Sequence, residues 1–217
     1  MAPGFFPKWI EDEHLARYRW ASRVVRGRAV LDVASGTGYG SAELVAAGAR
    51  SVASIERNAA ALAFARTTYR APRYVRADAQ VLPLRAGAVD VVVSLETIEH
   101  LDDPARFLAE VRRVLRRDGI LVLSSPNPER TDGTNPYHVH EMPLEELTGL
   151  LRSSGFRLTG VWGQYWRMTA RRGIWWLPGL GRLAFSMSRR PLVWALPGRF
   201  GFRPFYWCLR AVAAGAP

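Results

Sequence analysis

Residues Ala29–Gly40 read AVLDVASGTGYG, and the fold turns on this stretch. Ala29, Val30, Leu31 and Val33 form a short apolar run interrupted only by Asp32, and the run ends in a loop carrying Gly36, Gly38 and Gly40. A β-branched run bounded by glycines has the composition of a strand covered on both faces. The glycines let backbone approach a ligand closely, and a helix expected over residues 41–47 aims its first N–H groups at the same place. A phosphate site and a plain strand-to-helix turn share this pattern, so the flanking sequence has to choose between them.

A second strand over Ser51–Ile55 ends in Glu56, about twenty residues beyond the loop, where a doubly wound sheet places an acid that accepts hydrogen bonds from a ribose diol. The loop lacks the GxGxxG spacing of a dinucleotide site, and Lys8 is the only lysine in the chain, so there is no Walker lysine. A nucleoside ligand fits best. Further along, Asn58 caps a helix to about Thr68, and strands are expected over 73–77 and 89–94. Pro104 starts a helix to Leu115, Asp118-Gly119 turns into a strand over 120–124, and Pro143 starts a helix to Ser153 ahead of a strand over 156–162. Strand and helix alternate with short links. This predicts an α/β, Rossmann-like doubly wound sheet, mostly parallel, with helices on both faces and an antiparallel last strand over 205–212.

The segments VLDVASGTG, SIERN, RADAQVLPL, VDVVVSLETIEHL and LVLSSPNP, in this order within residues 30–161, resemble the successive motifs of class I S-adenosylmethionine (SAM)-dependent methyltransferases. The resemblance implies a cofactor site residue by residue. Asp32 stands near the amino-acid end of SAM, Gly36 and Gly38 allow close approach, and Ala34 occupies a position where the family usually has glycine. Glu56 takes the ribose hydroxyls, Asp78 and Ala79 contact the adenine, Leu95 closes the fourth strand, and Tyr39 and Arg57 are placed to cover the ligand. A leading amphipathic helix over 8–26 carries Arg17 and Tyr18, which either form part of a lid or pack on the sheet edge.

Ligands of such sheets bind beyond the carboxyl ends of the strands, and three of the four histidines lie there. Strand four runs into Glu96-Thr97-Ile98-Glu99-His100, and strand five into a polar loop ending Tyr137-His138-Val139-His140-Glu141. The i, i+3, i+4 spacing of Glu96, Glu99 and His100 puts them on one side of a helical turn. Two readings remain open. In one, Glu96, Glu99, His100 and His140 bind Mg2+ or Mn2+, with His138 as a further ligand or supporting group; the pattern is similar to that of small-RNA 2′-O-methyltransferases and ubiquinone-pathway O-methyltransferases, in which a metal holds the acceptor oxygen. In the other there is no metal, and His100 or His140 acts as general base, with His138 fixing the loop. Met142, in place of the usual Ser or Thr cap, is free to line an acceptor pocket.

The charge of the 217-residue chain is uneven: residues 1–150 carry 19 basic and 19 acidic side chains, whereas 151–217 carry 11 arginines and no acid. Six of the eight tryptophans lie in the same last third. The expected organisation is a SAM-binding core with a leading lid helix over 1–162, and a Trp/Arg-rich extension over 163–217 that covers the acceptor site with helices and loops. Three roles fit this extension: a buried addition to the core, peripheral contact with a membrane that delivers a lipid-linked acceptor, and, ranking last, a nucleic-acid surface. Cys208 is the only cysteine, and no uncharged apolar stretch reaches about 18 residues, so a cytoplasmic location is expected. The expected activity is SAM-dependent methylation of a hydroxyl on a small-molecule, sugar or lipid-linked acceptor. The alternatives are RNA 2′-O-methylation and a non-catalytic SAM-binding subunit. The oligomeric state is not legible.

Overall fold

The computed structural model describes residues 8–172, 185–195 and 204–214. In chain order the elements are α1 (Lys8–Ala21), β1 (Ala29–Val33), α2 (Tyr39–Ala46), β2 (Ser51–Glu56), α3 (Ala59–Thr68), β3 (Arg73–Arg76), β4 (Val89–Leu95), α4 (Pro104–Val114), β5 (Leu115–Pro126), α5 (Leu144–Ser153), β6 (Phe156–Arg172), β7 (Phe185–Ala195) and β8 (Tyr206–Ala213). Short 3-10 turns cover Ser22–Val24 and Ile98–His100. The strands form one sheet in the order β3-β2-β1-β4-β5-β8-β6-β7. β1 to β5 are mutually parallel, and β8 enters antiparallel between β5 and β6.

Strand periodicity sorts the core into two layers. Leu31, Val33, Val92, Leu121 and Leu123 point to one face and pack with Phe107, Leu108 and Val111 of α4 and Leu147 and Leu151 of α5. Val30, Val52, Val91, Val93 and Val122 point to the other, against Tyr18 and Trp20 of α1 and Leu44 of α2. Residues i and i+2 of a strand share a face, so these runs can bury both sides at once. Each fully buried aliphatic side chain here contributes roughly 1.5–3 kcal/mol. The helices start where their caps stand: the Asn58 side chain accepts from the N–H groups of Ala60 and Ala61 at 2.9 and 3.0 Å, and Asp103 accepts from Arg106 N–H at 2.9 Å.

The last third departs from expectation. Helices and loops were expected after residue 162, but β6 continues to Arg172 and pairs antiparallel with β7, in register from Trp162↔Ala195 to Arg172↔Phe185. Pro191 was read as a breaker, yet it sits in β7 opposite Trp166. β7 is the edge of the sheet, where one side of the strand has no ladder to complete and a residue without an N–H is tolerated. The expected boundary between residues 162 and 163 lies inside β6. Trp175, Trp176, Pro178 and Pro197 lie outside the described residues. Of the tail tryptophans whose side chains are described, Trp207 is buried and Trp162 packs edge-on against Trp20 with ring centroids 5.2 Å apart. Met142, expected to line an acceptor pocket, is buried in the core layer that packs α4 and α5. Among the described residues, no helix is long and apolar enough to cross a membrane.

Candidate active site

The glycine loop is held from two sides. Glu56, the last residue of β2, accepts from Gly36 N–H through Oε2 at 2.9 Å and from Asn58 N–H through Oε1 at 2.8 Å. Each oxygen keeps a lone pair, so the carboxylate shapes the loop and still has acceptors to offer a diol. Gly38 adopts a left-handed conformation with φ +85°, and a Cβ there would stand 2.7 Å from the Tyr74 hydroxyl and 2.8 Å from Ala65 Cβ. Ala34 is also left-handed, at φ +58°, although it carries a Cβ. A non-glycine residue pays about 1–2 kcal/mol for this conformation, which explains a preference for glycine at the position. Its methyl group faces the cleft rather than sealing it, and is exposed.

Asp32 is fully buried beneath the loop and structures it. It accepts from Ser41 Oγ at 2.5 Å and from the Tyr18 hydroxyl at 3.1 and 3.3 Å, and Ser54 Oγ donates on to Ser41 at 2.7 Å. The Tyr18 ring lies against Gly40, where an added Cβ would approach it to 2.0 Å. Burial lifts the Asp32 carboxyl from 3.8 to about 7, against the lowering effect of those two donors. The unfolded chain therefore loses this proton near pH 4, and the folded one holds it to near pH 7. Stability contributed by Asp32 is present in full below about pH 4 and falls as pH rises to 7. An Asp32→Asn variant is expected to flatten this dependence between pH 5 and 8, where the wild type loses roughly 2–3 kcal/mol, read from urea midpoints.

A cleft opens over the carboxyl ends of β1, β2 and β4. Its walls come from Ala34, Glu56, Arg57, Asp78, Ala79, Glu96, Thr97 and His100, with Ile55, Ala77 and Leu101 completing them. Asp78 is exposed, and its Oδ1 accepts from Gln80 N–H at 2.7 Å. Tyr39 packs edge-on against Tyr18 at 5.8 Å. The Leu95 side chain packs in the core layer with Val91 and Val93 and is not among the residues of these walls. Thr97 and Leu101 were missed in the sequence, where nothing distinguishes them from ordinary turn residues.

The acid and imidazole residues divide in a way their spacing concealed. Glu96 has φ +54° and stands outside the 3-10 turn, so it does not share a helical face with Glu99. It is tied instead to β5, accepting from Ser124 Oγ at 2.6 Å. Glu99, His100 and His138 present ligand atoms that all lie within 4.8 Å of one another. His140 stands outside this group: its ring faces Glu146 Oε1 at 2.8 Å on an exposed surface. The loop sets the difference, because the N–H groups of Val139 and His140 both donate to the Glu99 carbonyl, at 2.8 and 3.2 Å.

Partner chemistry fixes the tautomers. His100 Nδ1 lies 2.7 Å from the Tyr137 carbonyl, which only accepts, so Nδ1 carries the proton and Nε2 has the free lone pair. That atom is 3.9 Å from Glu99 Oε1. His138 Nδ1 faces the Glu141 carboxylate at 2.5 Å, which likewise leaves Nε2 as acceptor, here met by the Asn135 amide at 2.8 Å. Glu99 is 1% exposed, and neither carboxylate oxygen has a hydrogen-bond partner. Burial, and then the nearby charge of Glu96, push its pKa well above the ordinary carboxylate range. A buried acid lacking any donor lies beside one free imidazole lone pair, that of His100 Nε2, and beside His138, whose own lone pair would have to leave the Asn135 amide before both imidazoles could hold a cation.

Residues 31–123 match the methyltransferase domain family. Over 153 residues the chain is 40% identical to a protein of Mycobacterium tuberculosis described as a probable S-adenosylmethionine-dependent methyltransferase, covering 68% of this chain and 55% of that one. An uncharacterized methyltransferase of Mycolicibacterium vanbaalenii is 33% identical, with 82% of this chain and 72% of that one aligned. The chain belongs to the class I SAM-dependent methyltransferases. It spans about half the length of the first curated relatives it matches. A SAM-dependent methyltransferase from Aquifex aeolicus shares the fold at a TM-score of 0.66 and 18% identity, over 96% of this chain and 94% of its own. In this member of the family the cleft carries carboxylate lone pairs from Glu56 on one wall and from Asp78 on another.

Proposed function

We propose that the protein transfers a methyl group from SAM to a hydroxyl of a small-molecule, sugar or lipid-linked acceptor. One observation carries this reading: His100 lines the cofactor cleft and also belongs to the Glu99–His100–His138 cluster, so a group able to act on a hydroxyl proton borders the space where a methyl donor fits. Bound SAM supplies an electrophilic methyl on a sulfonium, and transfer needs in-line approach of a deprotonated acceptor. His100 is prepared for that. The Tyr137 carbonyl holds its proton on Nδ1, which leaves Nε2 to take one from the acceptor.

The cluster also supports a divalent-ion site, with Glu99, His100 and His138 holding Mg2+ or Mn2+, the Glu141 carboxylate steadying His138, and Glu96 at the edge of the cleft. An ion held there would lower the pKa of a bound hydroxyl, and a vicinal diol of a sugar would bind it through both oxygens. RNA 2′-O-methylation remains the second enzymatic reading, and a SAM-binding subunit without turnover the non-enzymatic one. A cytoplasmic location with peripheral membrane contact through the Trp/Arg-rich tail fits a lipid-linked acceptor. The test is release of S-adenosylhomocysteine against a panel of diols, sugars, lipid-linked sugars and short RNAs, with EDTA and with added Mg2+ or Mn2+. Turnover on a hydroxyl acceptor, raised by the metal, is the expected result. Binding of SAM with no turnover on any acceptor would overturn the enzymatic reading, and activity unaffected by EDTA would remove the ion.

A further inference from the structure

The amino ends of the strands, on the far side of the sheet from the cleft, carry a second pocket of about 350 Å³. Arg28, Arg50, Arg116 and Arg117 line it together with Asp90 and Asp118, so four cations face two acids and leave a formal charge of +2. The pocket shares no lining residue with the cleft. It lies roughly 15 Å away, at the opposite end of β1 and β4.

Strand register builds it. Val89 pairs with Leu115 and Val91 with Ile120, so the single residue Asp90 stands opposite Arg116, Arg117, Asp118 and Gly119, which bulge from β5. Asp118 turns the bulge in the left-handed conformation at φ +61°, and a Cβ on Gly119 would stand 2.9 Å from the Arg116 carbonyl oxygen. A bulge re-aims side chains, here two adjacent arginines. Asp90 then organises the cations. Its Oδ1 accepts from Arg116 Nη1 at 2.6 Å, and its Oδ2 accepts from Arg50 Nη2 at 3.0 Å and from Ala29 N–H at 2.8 Å. Arg28 is anchored as well, donating from Nη1 to the Val24 carbonyl at 3.0 Å. Each of these three guanidiniums uses one nitrogen for its anchor and keeps donors on the other two. Arg117 is exposed beside them and has no partner among the described residues.

Anchored arginines lose less side-chain freedom on taking a ligand than free ones do, so the anchors favour binding of an anion. Arg50, Arg28 and the Arg116, Arg117 pair stand at the heads of β2, β1 and β5, which with β4 are successive strands, so donors converge from several directions. A carboxylate offers two oxygens in one plane, whereas a phosphate offers oxygens all round its phosphorus, and several guanidiniums can meet it in bidentate pairs. The volume lies at the small end of ligand sites. We infer that this pocket binds a phosphate group, as a phosphomonoester or diphosphate carried by a soluble small molecule or by a lipid headgroup.

Calorimetry of the 217-residue chain with inorganic pyrophosphate, at about physiological ionic strength, tests this with and without saturating S-adenosylhomocysteine. One-to-one binding that S-adenosylhomocysteine leaves unchanged is expected. Arg28→Gln/Arg117→Gln, which keeps both arginine bonds to Asp90, should weaken it roughly 10- to 100-fold. Arg106→Gln, exposed on α4, should not change it. Cosedimentation with phosphatidylcholine vesicles containing phosphatidic acid separates the two sources. Retention that the double variant abolishes assigns the lipid headgroup, and pyrophosphate binding without retention assigns a soluble phosphate. In the wild type, pyrophosphate should protect Arg28 and Arg117, and not Arg106, from modification by phenylglyoxal, which reads the site without any substitution. No binding to either probe overturns the proposal. Binding that the double variant retains, that Arg106→Gln weakens equally, or that S-adenosylhomocysteine displaces overturns it as well.

Discussion

Glu99→Leu is expected to raise the melting temperature of EDTA-treated protein by several degrees while cutting methyl transfer roughly 100-fold or more. The two effects have opposite signs because they draw on the same carboxyl group. In the folded chain that group is buried without a donor, and an unpaired buried polar group costs about 1–3 kcal/mol. Leucine has similar volume and no such need. At this chain length each kcal/mol corresponds to about 2–4 °C. Activity moves the other way, since loss of a proton-transfer or ion-binding group removes about 10²- to 10⁴-fold. Melting curves with EDTA and with Mg2+ or Mn2+ provide a second reading: the cation should stabilise the wild type and leave the variant unmoved. A leucine variant that is less stable in EDTA and keeps full turnover would remove Glu99 from the site.

The second large effect is on cofactor affinity. Glu56→Ala should weaken S-adenosylhomocysteine by about 100-fold, because one side chain both ties Gly36 to Asn58 and offers its remaining lone pairs to the sugar. Charge-assisted hydrogen bonds contribute about 1.5–3 kcal/mol each, so losing the bonds to the diol already accounts for most of that factor. Free adenine, which has no ribose, should bind wild type and variant alike. Calorimetry with both ligands separates the two contributions. An unchanged affinity for S-adenosylhomocysteine would mean that the ribose lies elsewhere.

The central sheet was readable because each of its strands states its surroundings. A run such as Val91-Val92-Val93 has no polar face to give to water, so it had to lie between two layers of helix. The glycine loop was readable for the same reason: Asp32 lies one residue before the end of β1, Glu56 ends β2, and Gly38 caps the helix that follows. The cluster was only half readable. Spacing treats His138 and His140 alike, and the choice between them rests on where the Glu99 carbonyl pins the loop. It likewise placed Glu96 on a helical turn, whereas a single left-handed residue removes it from that face. The β6–β7 pair was hidden by Pro191, whose meaning depends on an edge position no local pattern discloses. The hydrogen bond from Arg17 to Gln164 spans 147 residues and has no sequence signal at all.

The carbonyl of Glu99 holds the loop that carries His138, while the side chain of the same residue faces His138 directly. Backbone and side chain of one residue therefore act on the same loop: losing the two hydrogen bonds to the Glu99 carbonyl would free the segment that carries His138 and part His138 from the Glu99 carboxyl in a single step.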